Sequence, residues 1–112
     1  MWAVDGNEAG CANGGTKTWV AARDYARDLT FAGFTDWRLP NINELLSIVD
    51  YSKYNPPIFD PPFTNTALTY YKSSTTYKEL TTINWSVMFE NGKTVTDYKE
   101  ADRNIRCVRG GL

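Results

Sequence analysis

The sequence predicts an α+β domain, on three observations. Helical periodicity is confined to the first half, between about Trp19 and Val49, whereas alternation with period two is confined to the second. Between them, from Tyr51 to Thr66, lies a stretch rich in Pro, Asn and aromatic residues, read as a long ordered loop. Helices first and strands afterwards is the order of an α+β fold. At 112 residues the chain fits one domain, 1–112, with no room for a second core.

The elements follow in order. Met1 to Lys17 reads as loop, with turn signals at Asp5-Gly6 and Gly14-Gly15, and with Trp2 and Val4 suited to a short strand. A first helix is expected from about Trp19 to Leu29, capped by Thr18. Trp19, Ala22, Ala26 and Leu29 share its apolar face. Arg23, Asp24, Arg27 and Asp28 take the other, where Asp24 and Arg27 can pair at i,i+3, and Gly33 follows as the terminator. In the second helix Asn41 caps while Glu44 reaches back, a reciprocal arrangement; Ile42, Leu45, Leu46 and Val49 give the apolar stripe, and Pro40 blocks an earlier start. A strand is expected around Tyr70 to Ser74. Another spans Ile83 to Phe89, where bulky apolar residues alternate with mostly polar ones. Asn91-Gly92 supplies positive φ angles for a tight hairpin turn, Lys93 to Asp97 returns, and Ile105 to Val108 forms a last strand before Gly110-Gly111.

Composition excludes several classes. With 42% hydrophobic and 14% aromatic residues, including four Trp, the chain can build a core, so disorder is not expected. Lys+Arg 12 against Asp+Glu 13 leaves a formal charge of −1 with mixed signs, which argues against nucleic-acid binding through a broad basic footprint. No apolar stretch approaches the about 20 residues that span a bilayer, so direct membrane insertion is not expected. No signal peptide is visible at Met1, so an export signal would lie outside this chain. Histidine is absent, which removes Ser-His-Asp and Cys-His catalysis and imidazole metal sites. No carboxylate spacing selects an acid–base pair, so no enzyme is expected and no cofactor is called for. Two cysteines stand near opposite ends, Cys11 and Cys107. From spacing alone they are either a staple, worth about 4–5 kcal/mol for so long a loop, or two buried thiols.

Ala32-Gly33-Phe34-Thr35-Asp36-Trp37-Arg38-Leu39-Pro40-Asn41, then Glu44-Leu45 and Ser47-Ile48-Val49-Asp50, resemble the signature of the Lcl C-terminal domain family. That family includes the C-terminal domain of a bacterial collagen-like adhesin. Trp19 and Ala22, Phe63-Thr64-Asn65-Thr66, Phe89-Glu90-Asn91-Gly92 and Ile105-Arg106-Cys107-Val108-Arg109-Gly110 supply the remaining pieces in order over nearly the whole chain. Departures are Thr64 for the family's proline, Tyr71-Lys72-Ser73-Ser74 for a W-S-S strand, and Ala26 where many members carry a cysteine. Met1-Trp2 resembles the middle of the family's opening strand, as if the chain began inside it.

The resemblance implies a C-type-lectin-like fold: two helices followed by a twisted antiparallel sheet with long loops, chain ends adjacent. It also implies a structural disulfide between Cys11 and Cys107. Within the motif, Asp36, Trp37, Arg38, Leu39, Pro40, Asn41 and Glu44 are read as structural, with Trp37 and Leu39 in the core and Arg38 tying carbonyls or a carboxylate. The function implied is a non-catalytic recognition or adhesion module of a bacterial secreted, cell-surface or periplasmic protein. Its partner would be an extracellular glycan, sulfated ones included, or a protein. The alternative implied by the collagen-like relative is a structural domain that assembles a longer stalk as a homotrimer. An enzyme related to the formylglycine-generating proteins is a third reading, but Cys11 and Cys107 do not resemble that active-site pair. Candidate ligand-binding residues are Tyr51, Lys53, Tyr54, Tyr70, Tyr71, Lys72 and Tyr77, whose rings offer flat faces with polar tips beside cations. No metal site is assigned; the candidate calcium ligands are Asp97, Glu100, Asp102 and Asn104 in one loop, with Asp5, Asn7 and Glu8 in another.

Overall fold

The computed structural model describes residues 1–110, so Gly111, expected to help end the last strand, lies outside the described residues. Its elements are α+β: 3-10 turns at Ala9–Gly14, β1 (Thr16–Lys17), α1 (Trp19–Asp28), β2 (Trp37–Arg38), α2 (Ile42–Leu46), β3 (Tyr70–Thr76), β4 (Ile83–Met88), β5 (Lys93–Tyr98), β6 (Arg103–Asn104) and β7 (Val108–Arg109).

Local signals place both helices. Thr18 accepts a hydrogen bond from the Ala21 amide, and α1 buries Ala22, Ala26 and Leu29 while Asp24 and Arg27 pair at 3.3 Å on the outer face. Helix α1 ends at Asp28 with Leu29 as its cap, as expected, but Gly33 (φ +82) lies too far on to terminate it and instead turns the chain between Phe31 and Phe34, whose backbones bond to each other. Asn41 and Glu44 form the reciprocal cap of α2, with both bonds at 2.8 Å. This helix is shorter than its apolar stripe suggests: Val49 lies beyond it and pairs with Ile58 in an isolated bridge.

The strands form two sheets. One has the order β1-β6-β3-β4-β5 and the other pairs β2 with β7. The larger sheet is mixed, because β3 and β6 run parallel, so the expected purely antiparallel sheet is corrected. The expected strand over Ile105–Val108 is also replaced by two short ones, β6 and β7, which serve different sheets. At the β4–β5 connection only Gly92 has positive φ (+76), and its amide reaches back to the Met88 carbonyl at 2.7 Å; the turn is wider than the expected two-residue hairpin.

Chain ends meet. Ala3 N–H donates to Cys107 C=O at 3.0 Å, Arg109 N–H to Met1 C=O at 2.8 Å, and Trp2 bridges Val108. Two apolar clusters result. One gathers Ala22, Ala26, Trp37, Leu39, Ile105 and both cysteines; the other gathers Leu45, Ile58, Phe63, Tyr71, Val87 and Phe89 around α2 and the sheet.

The expected Cys11–Cys107 disulfide is not present: both are free, buried thiols. Loss of hydration pushes Cys11 up to about 11 and Cys107 up to about 12, so both stay protonated at neutral pH. Backbone bonds close the ends instead, among them Cys107 N–H to Gly10 C=O at 2.9 Å.

A buried arginine completes this closure. Arg106 is 1% exposed, and its Nη1 donates to the carbonyls of Ala3 and Val4, each at 2.8 Å. Its Nη2 reaches Thr66 Oγ1 at 2.9 Å and the Thr64 carbonyl at 3.4 Å, and the guanidinium lies 5.3 Å from the Phe63 ring centre. One side chain thereby ties the first segment, the loop ahead of β3 and the closing segment together.

Candidate ligand-binding surface

Two apolar side chains anchor the long loop that precedes β3. Ile58 and Phe63 are buried in the second cluster, and the Asp50 and Phe59 amides bond the Pro57 and Ile48 carbonyls. At the loop's start, Asp50 Oδ1 accepts from the Ser52 amide (2.9 Å) and hydroxyl (2.6 Å), which hold its carboxyl below the usual carboxylate range. Lys53 Nζ crosses to the Asp60 carbonyl at 2.7 Å, and Tyr51 Oη donates to the Gly92 carbonyl at 3.3 Å. On this braced turn Tyr51 and Tyr54 stand 72% and 82% exposed. Beside them is a concavity of about 380 Å³ lined by Ser52, Lys53, Tyr54, Pro56, Ile58 and Asp60. Exposed aromatic faces on a tethered backbone suit stacking on a flat ligand, because the main chain is already ordered and a tyrosine has only two side-chain torsions to fix.

The other predicted ligand residues do not join this group. Tyr71 is 2% exposed; its ring meets Phe89 edge-on at 5.1 Å and its hydroxyl accepts from the Ala67 amide at 2.9 Å. It belongs to the core and is corrected from the ligand set. Lys72, with no exposed surface, is corrected likewise. It sits on the opposite sheet face, where Nζ donates to the Tyr98 carbonyl (3.0 Å) and Asn84 Oδ1 (3.3 Å), and burial pulls its pKa below the ordinary lysine value. Tyr70, half-buried, lies under the Arg103 guanidinium at 4.5 Å, and Tyr77 stacks edge-on against Trp85 at 5.4 Å. Of the seven, Tyr51, Lys53 and Tyr54 come together.

The candidate calcium ligands are not assembled. Asp97 gives both oxygens to Arg103, at 2.6 and 3.4 Å, and one also accepts the Tyr98 amide. Asn104 turns its amide nitrogen, a donor, toward the Gly14 carbonyl. Among the described residues no three His, Cys, Asp or Glu side chains gather where a metal ion would need them.

Asp36 through Glu44 form a brace. Trp37 and Leu39 are buried, and the Trp37 indole N–H donates to the Phe31 carbonyl at 3.0 Å. Arg38 clasps both oxygens of Glu44 at 2.7 Å, the same carboxylate that caps α2, and also reaches the Gly110 carbonyl at 2.9 Å. Arg109 clasps Asp36 in the same two-pronged way, at 2.6 and 3.1 Å. The arginines hold both carboxyls below their ordinary range.

The model of the Lcl C-terminal domain family matches residues 1–109, nearly the whole of the chain. The chain belongs to the Lcl C-terminal domain family. No curated protein and no solved structure matches it. In this Lcl C-terminal domain, the motif from Asp36 to Glu44 is built into the packing of the closing strands, while Tyr51 and Tyr54 lie exposed on the loop after α2.

Sequence reasoning missed two features of this Lcl C-terminal domain. Arg106 sits between Ile105 and Cys107, and that apolar setting is the one signal that its guanidinium is buried. The polar face of the sheet, with Lys72, Asn84, Ser86 and Asp97 all buried, reads in sequence as a solvated face.

Proposed function

We propose that this Lcl C-terminal domain is a non-catalytic, extracytoplasmic recognition module with a C-type-lectin-like arrangement, and that it holds a glycan on the Tyr51–Tyr54 turn. The observation that carries the reading is the pairing of two largely exposed tyrosines with a concavity of about 380 Å³ on a loop tied at both ends. Tyrosine rings stack on the C–H faces of sugars, while Ser52, Lys53 and Asp60 offer donors and acceptors to ring hydroxyls. Lys53 and Asp60 place one charge of each sign in the lining, which suits a neutral glycan rather than a sulfated one. The adjacency of the first and closing segments, to which the end of the long loop is bonded at Thr64, supports the lectin-like arrangement.

A glycan array with the purified domain, followed by titration of the strongest binder, tests this. Tyr54→Ala is expected to weaken binding at least about tenfold while leaving the melting temperature unchanged, and Tyr51→Ala to weaken it as much while costing about 1 kcal/mol for the lost bond to the Gly92 carbonyl. An array without binders, or binding indifferent to both substitutions, refutes the proposal.

A further inference from the structure

A second concavity, a groove of about 630 Å³, lies between α1 and the segment that contains β2. Arg23 and Arg27 line it from the helix, and consecutive residues 35–39 line it from the segment. The lining carries three guanidiniums, Arg23, Arg27 and Arg38, against one carboxylate, Asp36. Arg38 and Asp36 are each locked in two-pronged pairs. Arg23 and Arg27 are not: their bonds to Asp24 and Asp28 are 3.2–3.4 Å long, their side chains are more than half exposed, and Arg23 Nη1 and Arg27 Nη2 bond nothing among the described residues. Exposed pairs of this kind are weak and readily exchange a partner.

The backbone at the groove is also unpaired. In the β2–β7 ladder Trp37 stands opposite Arg109. Arg109 turns both its N–H and its C=O away from β2, toward the Met1 carbonyl (2.8 Å) and the Met1 ammonium (2.9 Å). In an antiparallel ladder, residues opposite one another either exchange both bonds or point both sets outward. Trp37 therefore directs its N–H and C=O to the outer edge of β2, and neither finds a partner among the described residues although Trp37 is 3% exposed. An unbonded backbone edge in a groove rimmed by two weakly paired arginines is the arrangement that recognises an added strand.

We propose that this groove takes an extended acidic peptide segment, which pairs with β2 at Trp37 and sets carboxylates of alternate residues against Arg23 and Arg27. The backbone edge favours a peptide over a polyanionic glycan, because sugars do not present N–H and C=O groups at the spacing of a ladder. The site is separate from the tyrosine turn, so either can fail alone.

The test titrates the ¹⁵N-labelled domain with a capped peptide of about seven residues alternating Glu and Val. Binding is expected at submillimolar concentration, with the Trp37 amide among the strongest shifts. The joint substitution Arg23→Glu and Arg27→Glu should weaken it at least about tenfold, and these exposed positions leave the fold intact. Of two N-methylated versions, on every Glu or on every Val, one should lose binding and the other keep it, since alternate amides face opposite edges. Any of four results overturns the proposal: no binding at millimolar peptide, equal binding of a Lys/Val peptide, indifference to both methylation patterns, or dextran sulfate shifting the Trp37 amide where the peptide does not.

Discussion

Replacing Arg106 by Met tests whether the closure of the chain ends rests on a single buried cation. Met retains much of the apolar stem but removes every donor. Three contacts of 2.8–2.9 Å, to Ala3, Val4 and Thr66, and a longer one to Thr64 are lost together. A hydrogen bond from a charged donor contributes about 1.5–3 kcal/mol, but the loop carbonyls can recover part of this by moving toward water. A net loss of about 4 kcal/mol is expected, a large share of the roughly 5–15 kcal/mol that stabilises a domain. At about 4 °C per kcal/mol for a domain of this size, the melting temperature falls by about 15 °C. Arg106→Lys should lose about half as much, since one ammonium cannot span both groups of acceptors. Urea unfolding followed by circular dichroism measures each value. If Arg106→Met unfolds within about 1 kcal/mol of the parent, the backbone pairing of the ends suffices and the reasoning fails.

Three further outcomes are expected. Tyr71→Ala should cost about 3–5 kcal/mol through the void left beside Phe89, and Lys72→Ala should also destabilise by leaving Asn84 and the Tyr98 carbonyl without a donor; stable variants in urea unfolding would return both residues to the surface. Stability should fall as pH rises above about 9: the unfolded thiols release protons near there, whereas Cys11 and Cys107 hold theirs to about 11 and 12, so the folded state binds more protons across that window. Urea unfolding between pH 8 and 10 should show a gentler decline in the Cys11→Ala, Cys107→Ala double variant, and an identical slope would contradict this account. Asn41→Ala should cost about 1 kcal/mol by chemical denaturation, through loss of the cap on α2; no change would mean that Arg38 and Glu44 hold the helix start unaided.

Much of the fold was legible in sequence because its signals are local. Thr18 and the Asn41–Glu44 pair act within three residues of themselves, and the apolar periods of α1 and β4 report faces of single elements. The candidate surface was only partly legible. Tyr51, Lys53 and Tyr54 fall in a loop by composition, but Tyr70, Tyr71, Lys72 and Tyr77 look much like them and lie in or beside β3. Within a strand successive residues take opposite faces, so Tyr71 entered the core while Lys72 turned to the other side. No rule of period two shows that this other side is covered; Arg103, lying across Asp97 and Tyr70 from β6, covers it.

By itself, the sequence determined the family, the two helix starts, the order of helices before the main strands and the absence of histidine chemistry, since each depends on residue identity or on spacing of a few positions. Tertiary structure alone decided that Cys11 and Cys107 are free thiols, that Arg106 and Lys72 are interior cations, and that β1, β6 and β7 divide between two sheets. Those outcomes depend on which distant segments approach one another: the cost of burying a polar group is set by partners brought by the fold, such as the Ala3 carbonyl for Arg106, 103 positions away.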